Sequence, residues 1–491
     1  MILARTARGG VPRRRGELGL LFVAGIAVLL ADLLLSLALT NRLPGHVLWF
    51  IGILAAFGLA VQVVNRRLVP DADPVLVPVA LFLNGLGYVF LTEITYRNPG
   101  NPTYFDDPRG QLLWSVVVLV VYEATLLVVR RSRDLERYRY LTLVAAFVLL
   151  VAPMVPGIGL SVGGARLWVH LHSFEFQTVE IAKLLLVLFF ASYFVEKREL
   201  LTIRTRRVGN HLLPDLRAYG PIAVAGVMSL LIILVEHDIG FSLILFCAFL
   251  TMIWVTTGRW TYVLIGLVVF GIVTFLASHV LVQVNQRIEV WLDPWKYYDN
   301  GSGIGLQPVQ GELALGRGGW FGTGLGLGTA AQVVPIANSD FIFSVIGEEL
   351  GLVGTTAVAV AFLLMVMSGL RAAARARSEF AKLVGVGLAA ILGFQGFFIM
   401  AGVTRLLPLT GVTLPFVSYG GSSLVANYVL VALLMRISNE ANQIPDASGS
   451  SRRVATSIAP SSSSSSPVSP AGGAPATSST RTAATTGTNN R

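Results

Sequence analysis

The sequence predicts an all-α polytopic membrane protein with about 12 transmembrane helices and both termini in the cytoplasm. Composition is the first reason. Of 491 residues, 54% are hydrophobic and only 13% charged, about half the charged share of a soluble domain, and the mean hydropathy is +0.70. Apolar runs near twenty residues are the second, since each is long enough to cross ~30 Å of hydrocarbon. The runs do not alternate in polarity, which excludes a β-barrel, and their apolar surface excludes a disordered chain over most of the length. The placement of Lys and Arg is the third reason.

In order, the runs are Leu18–Leu39, Val47–Val64, Val75–Leu91, Leu112–Val129, Leu141–Val155, Ile181–Val195, Pro221–Val235, Ile239–Val255, Tyr262–Val282, Phe341–Met367, Leu383–Val403 and Leu414–Met435. The first follows Arg13, Arg14 and Arg15 but is too long for the apolar region of a signal peptide and lacks a small-residue cleavage site, so it reads as a span. With the N-terminus inside, 28 of the 37 Lys and Arg fall in cytoplasmic segments and eight outside, Lys183 lying within a span. Cytoplasmic anchoring therefore explains the net charge of +10, and no nucleic-acid partner is expected. The single cysteine, Cys247, excludes a disulfide or a cysteine metal cluster.

The expected organisation is a basic cytoplasmic N-terminus (1–17), two N-terminal helices (18–74), a membrane core (75–438) with a large extracytoplasmic loop (284–340), and a Ser/Thr/Pro-rich tail (439–491). Six consecutive serines from Ser461 mark that tail as unable to bury a core and hence disordered. A second outward loop is expected over Pro156–Val179 and a third around Pro408–Ser423.

Several residues carry chemistry. Asp340 opens the tenth span, where the residues alone favour an N-cap over a general base or cation ligand. Glu180 and Lys183, three apart, share a helix face with Gln177 a turn earlier. At membrane depth such charges pair or line a wet cavity. Glu236-His237-Asp238 reads as a polar turn, because adjacent positions diverge and a metal needs convergent ligands. Glu348 and Glu349, two turns into the tenth span, extend a polar cavity or pair with a neighbouring helix. The glycine-dense stretch from Gly316 to Gly328 lacks the strand–helix setting and Gly-Lys-Ser/Thr ending of a nucleotide loop, so it suggests a tight turn that lets a ligand approach backbone. The outward cations Arg166, Arg287, Lys296, Arg317 and Arg405 are either solvated or recognise an anionic group such as pyrophosphate.

Gly164-Ala165-Arg166-Leu167-Trp168, with Phe176-Gln177-Thr178-Val179-Glu180-Ile181-Ala182-Lys183, resembles the GAxxW and FQPSExAK signature of the SEDS proteins (shape, elongation, division and sporulation). Asp238-Ile239-Gly240 resembles their PDLG turn. Ser339-Asp340-Phe341-Ile342-Phe343 with Glu348-Glu349-Leu350-Gly351 resembles TDFIFxxxxEELG, and Leu407–Gly411 with Leu414–Ser423 resembles LPxTGxxLPFxSYGGSS. The likeness spans Val75 to Met435, so the first two helices are an addition to a ten-helix core. That addition and Gly402-Val403-Thr404-Arg405 are most similar to actinobacterial members of the RodA type. Thr178-Val179 in place of Pro-Ser, and Glu236-His237 in place of Gln-Pro, depart from the pattern.

The resemblance implies a peptidoglycan glycosyltransferase that polymerises lipid II on the outer face of the cytoplasmic membrane during elongation. It implies inversion at the donor sugar, an undecaprenyl pyrophosphate leaving group and a class B penicillin-binding protein as partner. Asp340 becomes the catalytic residue, as general base or as organiser of a divalent cation, Mg or Mn. Arg166, Trp168, Gln177, Glu180, Lys183, Asp238, Arg287, Gln310, Ser418, Gly420 and Gly421 become substrate-binding residues, Arg287 and the Glu180–Lys183 pair serving the pyrophosphate region. The rival readings are a lipid II flippase, a septal polymerase of the FtsW type, a secondary transporter with a broken helix near Asp238, and a scaffold for the cross-linking partner.

Overall fold

The computed structural model describes residues 13–42, 47–101, 107–162, 165–171, 174–202, 206–208, 211–213, 239–298 and 304–443. Its helices are α1 (Arg13–Thr40), α2 (Val47–Leu68), α3 (Leu76–Arg97), α4 (Asp107–Val128), α5 (Arg139–Val151), α6 (Thr178–Thr202), α7 (Ile239–Thr257), α8 (Trp260–Val280), α9 (Val282–Leu292), α10 (Leu306–Gly318), α11 (Ala330–Val333), α12 (Ile342–Ala374), α13 (Glu379–Val403) and α14 (Gly421–Asn442). Among the described residues, ten helices are long and apolar enough to cross a membrane. They coincide with ten of the expected spans. The fifth is α5, only 13 residues long before a 3-10 turn, and at 1.5 Å per residue it falls short of the hydrocarbon thickness. The expected span Pro221–Val235 lies outside the described residues.

One expected boundary moves, and the expected loops carry structure of their own. The last helix starts at Gly421 rather than Leu414, because Pro415 and left-handed Gly411 and Phe416 (φ 70° and 68°) keep the preceding chain in turns. The Pro156–Val179 loop contains a three-stranded antiparallel sheet of β1 (Gly159–Val162), β2 (Ala165–Leu171) and β3 (Phe174–Gln177), in that order. A short hairpin, β4 (Arg206–Val208) with β5 (His211–Leu213), follows α6. Within the expected loop 284–340 the chain forms most of α9 and all of α10 and α11.

Packing divides the helices into two groups. Helices α6, α13 and α14 are mostly buried, whereas α1, α2 and α8 leave most of their apolar side chains uncovered, as a lipid-facing ring requires. Close approach depends on small residues: a Cβ on Gly385 would lie 2.9 Å from Ala373 Cβ, where α13 crosses α12. Phe190 and Phe249, 4.6 Å between centroids, join α6 to α7. The N-terminal pair is fastened by polar contacts, since Asn65 donates to Glu17 (2.7 Å) and accepts from the Tyr122 hydroxyl (2.7 Å), linking α1, α2 and α4. At the other end of α14, Arg436 donates to the carbonyls of Leu68 (2.9 Å) and Leu126, satisfying the last turns of α2 and α4.

Candidate functional site at one end of the bundle

Helix α12 begins at Ile342, with Phe341 in the cap position and no side-chain cap. Asp340 therefore stands one residue ahead of the cap, which corrects the N-cap expectation. Its Oδ1 accepts from Ser339 Oγ (2.5 Å). The loop between α13 and α14 holds this turn in place: Ser418 Oγ donates to the Ser339 carbonyl (2.5 Å) while accepting from the Leu414 amide (2.9 Å), and the Tyr419 amide donates to the Asn338 carbonyl (2.9 Å). Arg287, on α9, donates through Nη1 to the Thr410 carbonyl (2.7 Å) in the same loop, and its charge acts on Asp340.

Burial raises the Asp340 carboxyl above the ordinary aspartate range. The Ser339 hydroxyl, the Asp340 amide and the Arg287 guanidinium oppose that shift without cancelling it. A base must be ionised to act, so activity that depends on Asp340 rises with pH through this raised value. Stability has the opposite sign. The folded state holds the proton more tightly than the unfolded chain, so this group's contribution is full below the ordinary aspartate range and is lost as pH rises through the raised value. A rate–pH profile of Arg287→Gln should show the acidic limb displaced to higher pH, and an unmoved limb would refute the coupling.

On the other side of the same loop lies the buried ion pair of α6. Lys183 Nζ is 2.5 Å from Glu180 Oε2 and donates to Gln395 Oε1 (2.7 Å) on α13. Gln395 in turn donates to the Thr413 carbonyl (3.0 Å), and Thr413 donates to Ser423 Oγ (2.9 Å) at the start of α14. The Gln177 backbone N–H donates to Ser422 Oγ (2.9 Å), so β3 docks on the same helix terminus, with Trp168 of β2 opposite Gln177 in the sheet. The loop over residues 404–420 and the start of α14 together bring Asp340, Arg287, Ser418, Gln177, Glu180 and Lys183 to one end of the bundle.

Other expected residues stand differently. Gly421 is required by packing, because a Cβ there would lie 2.0 Å from the Trp114 ring, whereas Gly420, with extended backbone (φ 165°), has ordinary space for one. Gln310 donates to the Tyr298 hydroxyl (2.9 Å), away from the loop contacts. Arg166 lies on β2, but its side chain is outside the described residues, as is all of Asp238 and the Glu236-His237-Asp238 turn. Among the described residues no group of three or more His, Cys, Asp or Glu is placed to hold a metal.

The glycine-dense stretch receives the protein's own carboxylates. The amides of Gly326 and Gly328 donate to Glu349 (2.9 and 3.2 Å), and that of Thr329 donates to Glu348 (2.9 Å). This corrects the expectation of a ligand at that backbone. The loop fits because α12 breaks at Gly351 (φ 65°), and because a Cβ on Gly322 would lie 2.0 Å from the Glu349 carbonyl. Glu349 also meets Glu93 of α3, the neighbouring-helix alternative, and Glu93 pairs with Arg97 (3.2 Å).

Gln395 and Thr413 were not expected at the site. A lone amide inside the apolar run Leu383–Val403 is the signal that points to Gln395, since a buried amide needs partners. Thr413 offered no such signal.

Fold and site together define a polytopic helical membrane protein with a polar site built at one bundle end around a single ordered loop. The chain belongs to the FtsW/RodA/SpoVE family of cell cycle proteins, whose sequence profile matches residues 75–443. It is 37% identical over 434 residues to the peptidoglycan glycosyltransferase RodA of Mycobacterium tuberculosis (strain ATCC 25618 / H37Rv), covering 88% of this chain and 92% of the relative. That match is longer than everything from residue 75 onward, so it takes in part of the N-terminal helix pair. A probable peptidoglycan glycosyltransferase FtsW from Geobacter sulfurreducens (strain DL-1 / KN400) is 36% identical over 315 residues, covering 64% of this chain and 80% of the relative. Among solved structures, Thermus thermophilus RodA superposes with a TM-score of 0.51 at 23% identity, over 76% of this chain and 98% of that one. A chain from a peptidoglycan synthase complex, described as coordinating polymerization and crosslinking, gives 0.57 at 22%, over 76% and 99%. Both likenesses support the helical membrane fold.

Proposed function

We propose that this protein is a peptidoglycan glycosyltransferase of the elongation type, which polymerises lipid II on the outer face of the cytoplasmic membrane. The observation that carries the reading is Asp340, a carboxylate displaced from the helix cap and fixed through Ser339 and Ser418, on which the positive charge of Arg287 acts. The longer coverage of the mycobacterial RodA relatives compared with FtsW favours elongation over division. The excess of Lys and Arg in the expected cytoplasmic segments supports an outward-facing site.

In the proposed reaction the 4-hydroxyl of the acceptor N-acetylglucosamine attacks C1 of the donor N-acetylmuramic acid. The new O4–C1 bond forms as the C1–O bond to undecaprenyl pyrophosphate breaks, with inversion, and Asp340 accepts the hydroxyl proton. Arg287 supplies positive potential at the developing charge. The ordered loop keeps both groups in place, with the Glu180–Lys183–Gln395 chain as its second anchor. Were a divalent cation such as Mg²⁺ or Mn²⁺ to serve the reaction, Asp340 and the adjacent Ser339 hydroxyl are the residues that would hold it, and it would supply positive charge for the pyrophosphate leaving group, since magnesium sites commonly use one or two carboxylates plus substrate phosphates. A class B penicillin-binding protein is the proposed partner, supported by the likeness to a synthase that couples polymerization and crosslinking.

Purified protein in detergent, given lipid II, should form glycan polymer. A flippase forms none there, because detergent offers no bilayer to cross. Absence of polymer both alone and with the class B partner overturns the proposal.

A further inference from the structure

A cavity of about 330 Å³ opens between α9, α10 and the end of α13. Arg287 forms part of its wall, so the side chain whose charge acts on Asp340 also faces this space. Arg405, which also lines the cavity, has left-handed backbone (φ 56°), a costly conformation for a long side chain. It is kept there by reciprocal bonds: Arg405 Nε donates to the Trp291 carbonyl (3.1 Å), and the Trp291 indole donates to the Arg405 carbonyl (3.1 Å). Glu312 lies 3.4 Å from the Arg405 guanidinium and matches its charge.

The remaining polar lining is amide. Gln283 and Gln286 make no side-chain hydrogen bond to the protein among the described residues, and Gln307, which donates to the Pro335 carbonyl (2.9 Å), keeps its oxygen free to accept. Away from Arg287 this wall has no net charge. It therefore offers little to a pyrophosphate and suits a neutral ligand rich in hydroxyl and acetamido groups. The volume is at the small end of the ~300–1,000 Å³ found for small-molecule sites, which fits one sugar ring.

Resting on the glycosyltransferase reading, we propose that this cavity is the subsite for the N-acetylhexosamine ring of the acceptor. The three glutamines hold its hydroxyl and acetamido groups, the Trp291–Arg405 lock fixes the wall, and Arg287 marks the edge from which the attacking hydroxyl reaches Asp340.

The test measures binding without turnover. Saturation-transfer NMR on the full chain in detergent uses a soluble β-1,4-linked N-acetylglucosaminyl–N-acetylmuramic acid disaccharide, with inorganic pyrophosphate and the free pentapeptide as comparison probes. The disaccharide should give signal with wild type and lose it with Gln286→Trp, which fills the cavity. The double variant Gln283→Ala/Gln286→Ala, which removes only exposed or half-buried amides, should weaken disaccharide binding about tenfold, the loss expected of two hydrogen bonds. Its KM for lipid II should rise by a similar factor with kcat nearly unchanged. Equal disaccharide signal in wild type and both variants overturns the assignment. So does binding of pyrophosphate or pentapeptide, but not disaccharide, that Gln286→Trp removes. If wild type forms no polymer either alone or with the class B partner, yet its disaccharide signal disappears in Gln286→Trp, the polymerase reading fails and the sugar subsite stands.

Discussion

Asp340→Ala abolishes glycan polymer formation, lowering the rate by about 10²–10⁴-fold, the usual contribution of a positioned acid–base group. The variant remains folded, because the contacts that shape the turn are made by its neighbours: Ser418 holds the Ser339 carbonyl, and Tyr419 holds that of Asn338. Asp340→Asn is the sharper comparison. It keeps shape and an acceptor for Ser339 but cannot take a proton, so it should be as inactive as the alanine variant. Polymerisation of lipid II by purified protein, with thermal unfolding measured in parallel, checks both. Near-wild-type polymer from Asp340→Asn would remove the general-base role, and near-wild-type polymer from Asp340→Ala would remove Asp340 from catalysis.

Lys183→Ala destabilises the bundle by about 3–5 kcal/mol, the penalty for leaving one partner of a buried ion pair uncompensated. Both side chains are nearly inaccessible, Glu180 at 0% and Lys183 at 3% exposure, so water does not replace the lost cation. Removing both charges with Glu180→Leu and Lys183→Met should restore most of the thermal stability, since well-packed apolar replacements of a buried pair are often neutral. Activity should not recover to the same degree. The double variant still lacks the ammonium that fixes Gln395, and through it the Thr413 carbonyl and the loop beneath Asp340. A double variant with wild-type turnover would show that the pair serves stability alone. A Lys183→Ala protein as stable as wild type would show that Glu180 is not uncompensated.

Much of the fold was legible because a bilayer reduces the problem to one dimension. Span length follows from hydrocarbon thickness, and a run such as Ile239–Val255 must close its own backbone hydrogen bonds as a helix whatever its neighbours do. The errors fall where that constraint relaxes. At Leu414–Gly420 hydropathy continues but Pro415 and left-handed Phe416 break the helix, and across Pro156–Val179 the polar stretch folds into a sheet. Within the site, Asp340, Glu180 and Lys183 were conspicuous as charges in an apolar setting. Gln395 was less so, because a single amide is a weak signal until its two partners are known.

The sequence by itself determined a helical membrane protein, the approximate places of its spans, and the identity of the few charges that demand an explanation. These are properties of short segments in a uniform solvent. The tertiary structure alone decided that Asp340 is not a helix cap, that the glycine-dense loop receives Glu348 and Glu349, and that Gln395 joins the α6 ion pair to the loop holding Asp340. Those results depend on contacts between residues far apart in the chain, 79 positions for Ser418 with Ser339 and 212 for Lys183 with Gln395. Hydrogen bonds of a few ångströms are set by how helices pack, and local composition does not encode which distant carbonyl a buried donor will meet.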